Sequence, residues 1–420
     1  MRSSRLEIKN ERINSLAIWA ISKYASPPKY GVGARLYYIS KSFSDMGHQV
    51  TLISSDANHL SSYPQTKRVY NHENYDNLEH IFIKTFKYSK NASLKRFISW
   101  FDFNVKLLFM KKGKLIRPDI IIISSLALTS ILVGYILKLI YRSKLVFEVR
   151  DIYPLTLVED FKVKKWNPII LYFKWVERFA YKKSDLIVGT MPNLKEHVAL
   201  VTKKHKKVIF SPIGIHEKWS SKILIDENIE KLFKDVKNKF VVGYAGSMGV
   251  SNALDIFIKV IKDMSKEAGI HFVLVGSGDL KENYIKQLNN FENVTIGPKI
   301  DQQFIPQFLK KCDLLYLSTH PSKIWNYGQS LNKVIDYMMA AKPIIASYDG
   351  FQTMINEAKS GVFVPTNNAE IVIEKILEFK NMPINERLKI GNNGYEWIIN
   401  NHKYELISKK YINELGSLLR

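Results

Sequence analysis

Short apolar runs alternate with amphipathic stretches along most of the chain. In the first half the pattern predicts strands over 15–22, 50–54 and 80–83, a helix over 34–46 and a basic amphipathic region over 94–114. Further on it predicts strands over 144–149, 186–189 and 208–211, with helices over 168–183 and 192–198. A polar stretch, 220–239, interrupts the alternation, which resumes at Phe240 with FVVGYAG as strand, SMGVS as loop and 252–266 as helix. HFVLVGSG, NVTIG, CDLLYLS, KPIIAS and GVFVP supply five more strands, with helices between them. The tail, 386–418, reads as helical and, with its many Asn and Lys, as too polar for a core. No repeat and no low-complexity tract interrupts this order.

Two segments invite a membrane reading. Residues 15–21 follow a basic leader, but the apolar part is short and lacks a small-residue cleavage site, so it is read as a first strand. The run IIIISSLALTSILVGYILKLI, 120–140, has the length of a membrane span with only Lys138 charged. Four isoleucines after Pro118-Asp119 nevertheless have the β-branched character of a buried parallel strand, and Ser124-Ser125 offers a break and a cap before a helix. With the strand at 144–149 this makes a βαβ unit.

The chain has 420 residues, 46% hydrophobic and 24% charged, enough for two packed domains and incompatible with disorder, collagen or coiled coil. The expected fold class is α/β. Boundaries are expected at 1–213 for a first Rossmann-like domain, 214–385 for a second and 386–420 for a helical tail packing back on the first. Two open α/β sheets bind ligands at their carboxyl strand edges, so sites belong in strand-to-helix loops facing an interdomain cleft. The single cysteine, Cys312, excludes an intramolecular disulfide and fits a reducing, cytoplasmic compartment. No Cys/His cluster has metal-ligand spacing, and no metal site is expected.

Two motifs in the second half carry candidate chemistry. FVVGYAGSMGVSNALD places Gly246 and Gly249 in a loop ahead of a helix expected to open near Asn252, where free N–H groups would receive a phosphate. The same residues also read as an ordinary βα turn. In YGQSLNKVIDYMMAAKP, Ser330 can cap a helix that presents Asn332 and Lys333, with Asp336 on the same face. Lys333 would neutralise a phosphate and Asp336 would accept vicinal hydroxyls; the plainer reading is a surface Lys-Asp pair. HFVLVGSG and NVTIGPKI end in glycines at a strand edge, bringing Gly276, Lys299 and Ile300 near a flat base.

In the first half, YASPPKYGVGAR sets Gly31, Gly33 and Arg35 after the first strand. Leu36 stands where a dinucleotide fingerprint needs its third glycine, which disfavours a nicotinamide enzyme. FEVRDIYP ends a buried strand with Glu148, Arg150 and Asp151, expensive there unless paired or used.

From about Ile18 to about Thr366, these blocks together with KSDLIVGTMPNLKEHV resemble family 4 glycosyltransferases, and most the bacterial enzymes that add amino sugars such as N-acetylfucosamine to O-antigen, lipopolysaccharide and capsule. The resemblance implies a GT-B fold, two Rossmann-like parallel-sheet domains around a cleft. It implies retaining, metal-independent hexosyl transfer without a cofactor, from a nucleotide sugar, taken as a UDP-sugar, to a lipid-linked glycan. On that carry-over Gly246, Ser247, Asn252 and Lys333 meet the diphosphate. Asp336 replaces the second Glu of E-x7-E on the ribose; Gly276, Lys299, Ile300, Ser330 and Asn332, candidates from their own strand-edge and helix-start motifs, complete the expected donor site. Gly31, Gly33 and Arg35 face the acceptor, with Asp151, Arg150 and Lys333 at the chemistry. The chain departs from the family where Gly328 stands in place of the first Glu, and where SMGVSNAL lacks the usual Arg-Lys pair.

The formal net charge is +23, and 82–118 contain ten Lys or Arg against Asp102 alone, interleaved with aromatic residues. Such a segment suits the anionic inner face of a membrane or, equally, a solvated helix over ordinary core. Charge alone would also suit nucleic acid, but no nucleic-acid-binding motif accompanies it, and no such partner is expected. Two further functions fit the same residues, a sugar-nucleotide epimerase of this fold and a non-catalytic scaffold.

Overall fold

The computed structural model describes every residue except 1–14, 31–33, 58–63, 65, 89–93, 112, 114, 220–223, 235 and 237. The N-terminal lobe is built on eight strands: β1 (Ala17–Ile21), β2 (Gln49–Ser55), β3 (Tyr70–Tyr75), β4 (Leu78–Ile83), β5 (Ile120–Ser124), β6 (Lys144–Val149), β7 (Leu186–Gly189) and β8 (Val208–Phe210). Their order is β3-β4-β2-β1-β5-β6-β7-β8. All pairs are parallel except β3 with β4. The polar hairpin strand β3 was invisible to the hydrophobic pattern because YNHENY is a half-exposed edge with no apolar face.

The C-terminal lobe has six parallel strands: β9 (Phe240–Ala245), β10 (Ile270–Val275), β11 (Val294–Gly297), β12 (Leu314–Ser318), β13 (Ile344–Ser347) and β14 (Gly361–Val364). Their order is β11-β10-β9-β12-β13-β14, with the topological switch between β9 and β12. This is the doubly wound arrangement twice over.

The isoleucines of β5 show why the 120–140 run is strand then helix. Ile121 and Ile123 enter one core while Ile120 and Ile122 enter the core on the opposite face, all fully buried. A sheet covered on both sides needs a continuous apolar strand, the composition that mimics a membrane span. The crossover helix, Ser130–Tyr141, begins only after a 3-10 turn at Ser125–Ala127, so Ser124-Ser125 does not cap it directly. Among the described residues no helix is long and apolar enough to cross a membrane.

The tail is two helices with different destinations. Ile384–Asn401 stays on the C-terminal lobe, where Gly391 lies so close to the Ala341 carbonyl that a Cβ would fall 2.1 Å from its oxygen. Tyr404–Gly416 crosses back and buries Ile407, Tyr411, Ile412 and Leu415 with Leu36, Ile39 and Phe43 of the Arg35–Asp45 helix. The expectation that the tail is too polar for core is therefore corrected: one stripe of its second helix completes the N-terminal core.

Among the described residues, close interlobe contacts near the sheets come from segments that follow strand C-termini. The turn Lys323–Tyr327, after β12, packs on Leu155–Glu159, after β6. The Asn193 N–H donates to the Tyr327 carbonyl at 3.0 Å, and Gly328 lies against Pro192, just after β7. The carboxyl edges of the two sheets thus face each other, the geometry in which α/β sheets hold ligands.

Candidate active site

On the C-terminal edge, the Asn332–Met339 helix buries Val334, Ile335, Tyr337, Met338 and Met339. The Tyr337 hydroxyl pins it across the switch point, donating to the Tyr316 carbonyl at 3.1 Å and accepting from the Ala245 N–H at 3.2 Å. That register carries Lys333 over the end of β9. Its ammonium donates to Tyr244 Oη and Asn252 Oδ1, each at 3.0 Å, and lies 4.3 Å from the Tyr244 ring centre. No carboxylate among the described residues pairs with it, and burial pushes the ammonium down to about 7. A desolvated cation without a counter-charge is a seat for an anion.

Three loops close around this seat because glycine lets their backbones touch. A Cβ on Gly246 would fall 2.8 Å from Lys333 Cε, and one on Gly276 would fall 1.8 Å from the Gly246 oxygen. Lys281 clamps the loops beneath, donating to the Gly297 carbonyl at 2.8 Å and the Gly276 carbonyl at 3.2 Å. Ser247 is exposed beside them, its carbonyl accepting from the Tyr244 hydroxyl at 2.6 Å. Gly246, Ser247, Asn252, Gly276 and Lys333 therefore come together.

Other expected donor residues have different environments. Asn252 does not open a helix: it ends a 3-10 turn, and the helix is Asp255–Asp263, whose first turn already carries a carboxylate. Asn252 contributes its side chain to Lys333 instead. Ser330 does not cap the Asn332 helix; Leu331 holds the N-cap position with no side-chain cap, and the Ser330 hydroxyl is buried without a partner. The carboxylate of Asp336 is already engaged, by Lys218 Nζ at 2.9 Å and Trp219 Nε1 at 2.8 Å, so a free ribose clamp is not what the fold presents. Lys299 and Asn332 are exposed, while Ile300 packs on the core of the lobe.

Residues 30–216 match the family model described as Glycosyltransferase Family 4, and residues 239–381 match that described as Glycosyl transferases group 1. The chain is a glycosyltransferase of the GT-B fold. No curated protein matches the sequence. Among solved structures, sucrose-phosphate synthase from Thermosynechococcus elongatus superposes with a TM-score of 0.72 at 16% identity, over 96% of this chain and 99% of its own. The Escherichia coli trehalose-6-phosphate structure bound with UDP-2-fluoro glucose gives 0.71 at 12% identity, over 95% and 99%. Anabaena HepE in complex with UDP and glucose gives 0.62 at 16% identity, over 96% and 100%.

On its N-terminal edge the transferase presents Arg150 and Asp151 just beyond β6, where both backbone N–H groups point to the Ser125 hydroxyl, at 2.9 and 3.5 Å. Asp151 is open to solvent at the cleft but closely walled, so burial raises its carboxyl while Arg150 and Arg96 pull the other way. Burial and Arg35 push the Arg150 guanidinium below its usual value, opposed by Glu148 and Asp151. Among the described residues no direct contact joins this group to Lys333. The acceptor role expected for Arg35 is corrected: it is buried, bonded to Glu148 at 2.6 Å and to the Ser211 and Pro212 carbonyls at 2.7 and 3.1 Å. It latches the interlobe linker. Gly31 and Gly33, the other two, lie outside the described residues.

Sequence reasoning missed three residues at or near the two candidate edges. Tyr244 orients Lys333, yet within FVVGYA it reads only as a strand residue. Gln329 buries both side-chain amide atoms with no partner, beside the Gly328 that replaces a glutamate. Unsatisfied donors and acceptors of this kind cost about 1–3 kcal/mol each, which a bound polar ligand would recover. Lys23, at the end of β1, is also buried and pushed down to about 7 by burial, with its ammonium on the Ala57 carbonyl at 2.9 Å. A lysine inside an apolar strand end was the only signal for it.

Proposed function

We propose that this transferase moves an N-acetylated amino sugar, with retention, from a UDP-sugar to a lipid-linked glycan during bacterial surface polysaccharide synthesis. The observation that carries the donor half is Lys333, a half-buried, desolvated cation over Gly246 that no carboxylate among the described residues pairs with. Bound UDP in Anabaena HepE and UDP-2-fluoro glucose in the trehalose-6-phosphate structure support the choice of donor. The amino sugar and the glycan acceptor rest on the resemblance of FEVRDIYP and YGQSLNKVIDYMMAAKP to the bacterial subgroup.

In this reading the anomeric C–O bond to the diphosphate breaks as the acceptor oxygen bonds the anomeric carbon. Lys333 and the Gly246–Ser247 backbone hold the leaving charge, which needs preorganised positive charge more than a nucleophile. Asp151, its carboxyl raised by burial, orients the acceptor hydroxyl and as carboxylate takes up the proton that the oxygen sheds. Testing a panel of nucleotide sugars should single out a UDP-sugar: at a hundredfold its dissociation constant it adds about 2.7 kcal/mol to stability. UDP release should then require an acceptor. A free epimer formed without one, or equal indifference to every nucleotide sugar, would overturn the assignment.

The lipid half is supported by one layer of the N-terminal lobe. Helices Leu94–Phe109, Ser130–Tyr141 and Pro168–Lys183 pack side by side on the sheet. Their outer faces leave Phe101 71%, Leu139 60% and Trp175 55% exposed. Lys95, Lys174 and Lys182 stand exposed among them. A broad apolar face with interspersed cations matches an anionic leaflet. The protein should co-sediment with phosphatidylglycerol vesicles and poorly with phosphatidylcholine. Phe101→Ser with Trp175→Ser should weaken that binding at least tenfold, since each lost ring gives up about 1.5–3 kcal/mol of burial. Equal partitioning to both vesicles, or no effect of the substitutions, would refute it.

A further inference from the structure

A cavity of about 430 Å³ opens beside the interlobe contact, away from Lys333. Its walls are helices Leu155–Glu159, Pro168–Lys183 and Leu194–Thr202 of the N-terminal lobe, and Lys323 reaches it from the other lobe. Four cations line it: Lys165, Lys174, Arg178 and Lys323. All four are exposed, and none pairs with a carboxylate among the described residues. Of the two carboxylates present, Glu177 is taken by His197 Nε2 at 2.7 Å and by the Tyr181 hydroxyl at 3.2 Å; Glu159 is the other.

Like charges gathered in a concavity focus a positive potential unless an anion answers it. The remaining wall is apolar, from Pro154, Leu155, Val158 and Val201. Such a site accepts an anionic group joined to an apolar or weakly polar body. Its position narrows the identity further. Pro154 follows closely on Asp151 in sequence, so the cavity adjoins the acceptor side of the cleft. The helix that offers Lys174 and Arg178 to the cavity exposes Leu171, Tyr172 and Trp175 on neighbouring positions, so the cavity lies at the margin of the exposed apolar layer.

We infer that this cavity seats the phosphate or diphosphate group of a phosphorylated acceptor, holding it from both lobes while the hydroxyl to be glycosylated extends toward Asp151. The inference rests on the transferase reading of the cleft. The chemistry has two sources, a prenyl-type lipid diphosphate or a soluble sugar phosphate, which differ in whether the apolar wall is used.

Titration calorimetry of the full chain with geranyl diphosphate and with glucose 6-phosphate separates them. Both titrations use the Lys333→Ala protein, so that the donor seat does not compete for phosphate. At least one probe should bind, and Lys174→Glu with Arg178→Glu should weaken it at least tenfold. Tighter binding of geranyl diphosphate assigns the lipid source, and tighter binding of glucose 6-phosphate the soluble one. Both charge reversals are on exposed side chains, and in the Lys333-containing protein they should leave UDP affinity unchanged. Unchanged probe affinity after charge reversal, or binding of neither probe, would overturn the inference. Loss of UDP binding by the unsubstituted protein, with probe binding intact and charge-dependent, would instead sink the donor assignment and leave this site standing.

Discussion

Replacing Lys333 by alanine should lower turnover about 10²- to 10³-fold, the usual cost of removing one preorganised group from a developing negative charge. Stability should not fall with it. Lys333 is desolvated and pairs with neutral partners, Tyr244 and Asn252, so removing its charge removes a burial penalty along with two hydrogen bonds. The same desolvation predicts a pH signature. Because the folded-state value of about 7 lies below the ordinary 10.5, the unfolded chain binds more protons between them. This group's contribution to apo stability therefore rises with pH across that window, and its penalty is complete below pH 7.

Bound diphosphate should restore the charge, so UDP affinity should fall as pH rises above about 7, with proton uptake on binding at pH 8. Calorimetry in two buffers of different ionisation enthalpy measures that uptake, and urea melts measure the stability. Unchanged turnover in Lys333→Ala, or binding without proton uptake, would remove Lys333 from the donor site.

Arg35→Ala should have the largest effect on folding, about 3–5 kcal/mol, because it strips the buried Glu148 carboxylate of the guanidinium that is hydrogen-bonded to it. Arg35 and Glu148 side chains are 2% and 0% exposed, and one Glu148 oxygen already lacks a partner. Two linker carbonyls, at Ser211 and Pro212, would lose their donor in the same substitution. Arg35→Met with Glu148→Leu should recover part of the loss, since the stranded charge goes while the carbonyls stay unpaired. Urea unfolding of the three proteins tests this. A loss under about 1 kcal/mol in Arg35→Ala would mean that the pair does not hold the linker as its geometry requires.

The reading of Arg35 shows where sequence patterns stop. A cation after two glycines at a strand end is the same string whether it faces a substrate or folds inward onto a buried glutamate. Nothing local to YGVGAR indicates that Glu148 and the 211–212 linker converge on it from distant parts of the chain. Asp336 failed for a related reason: its spacing from Lys333 was legible, but the linker residues Lys218 and Trp219 that engage it lie 118 and 117 positions away. The register of Lys333 was legible because it is set locally, although Tyr244 and Asn252, which hold its ammonium, lie 89 and 81 positions away. An apolar helix face forces its register, and glycines in the β9 loop leave room for it.

Most strands and helices were determined by the chain itself, since period-two and period-3.6 burial are properties of neighbouring residues. So was the doubly wound architecture of both lobes, which follows from alternating strand and helix with short connections. Only the tertiary structure decided which charged groups meet, which helix of the tail joins which lobe, and that the carboxyl edges of the two sheets face one another. Those outcomes depend on contacts between segments far apart in sequence. The free energy of a charge depends on what surrounds it rather than on what precedes it.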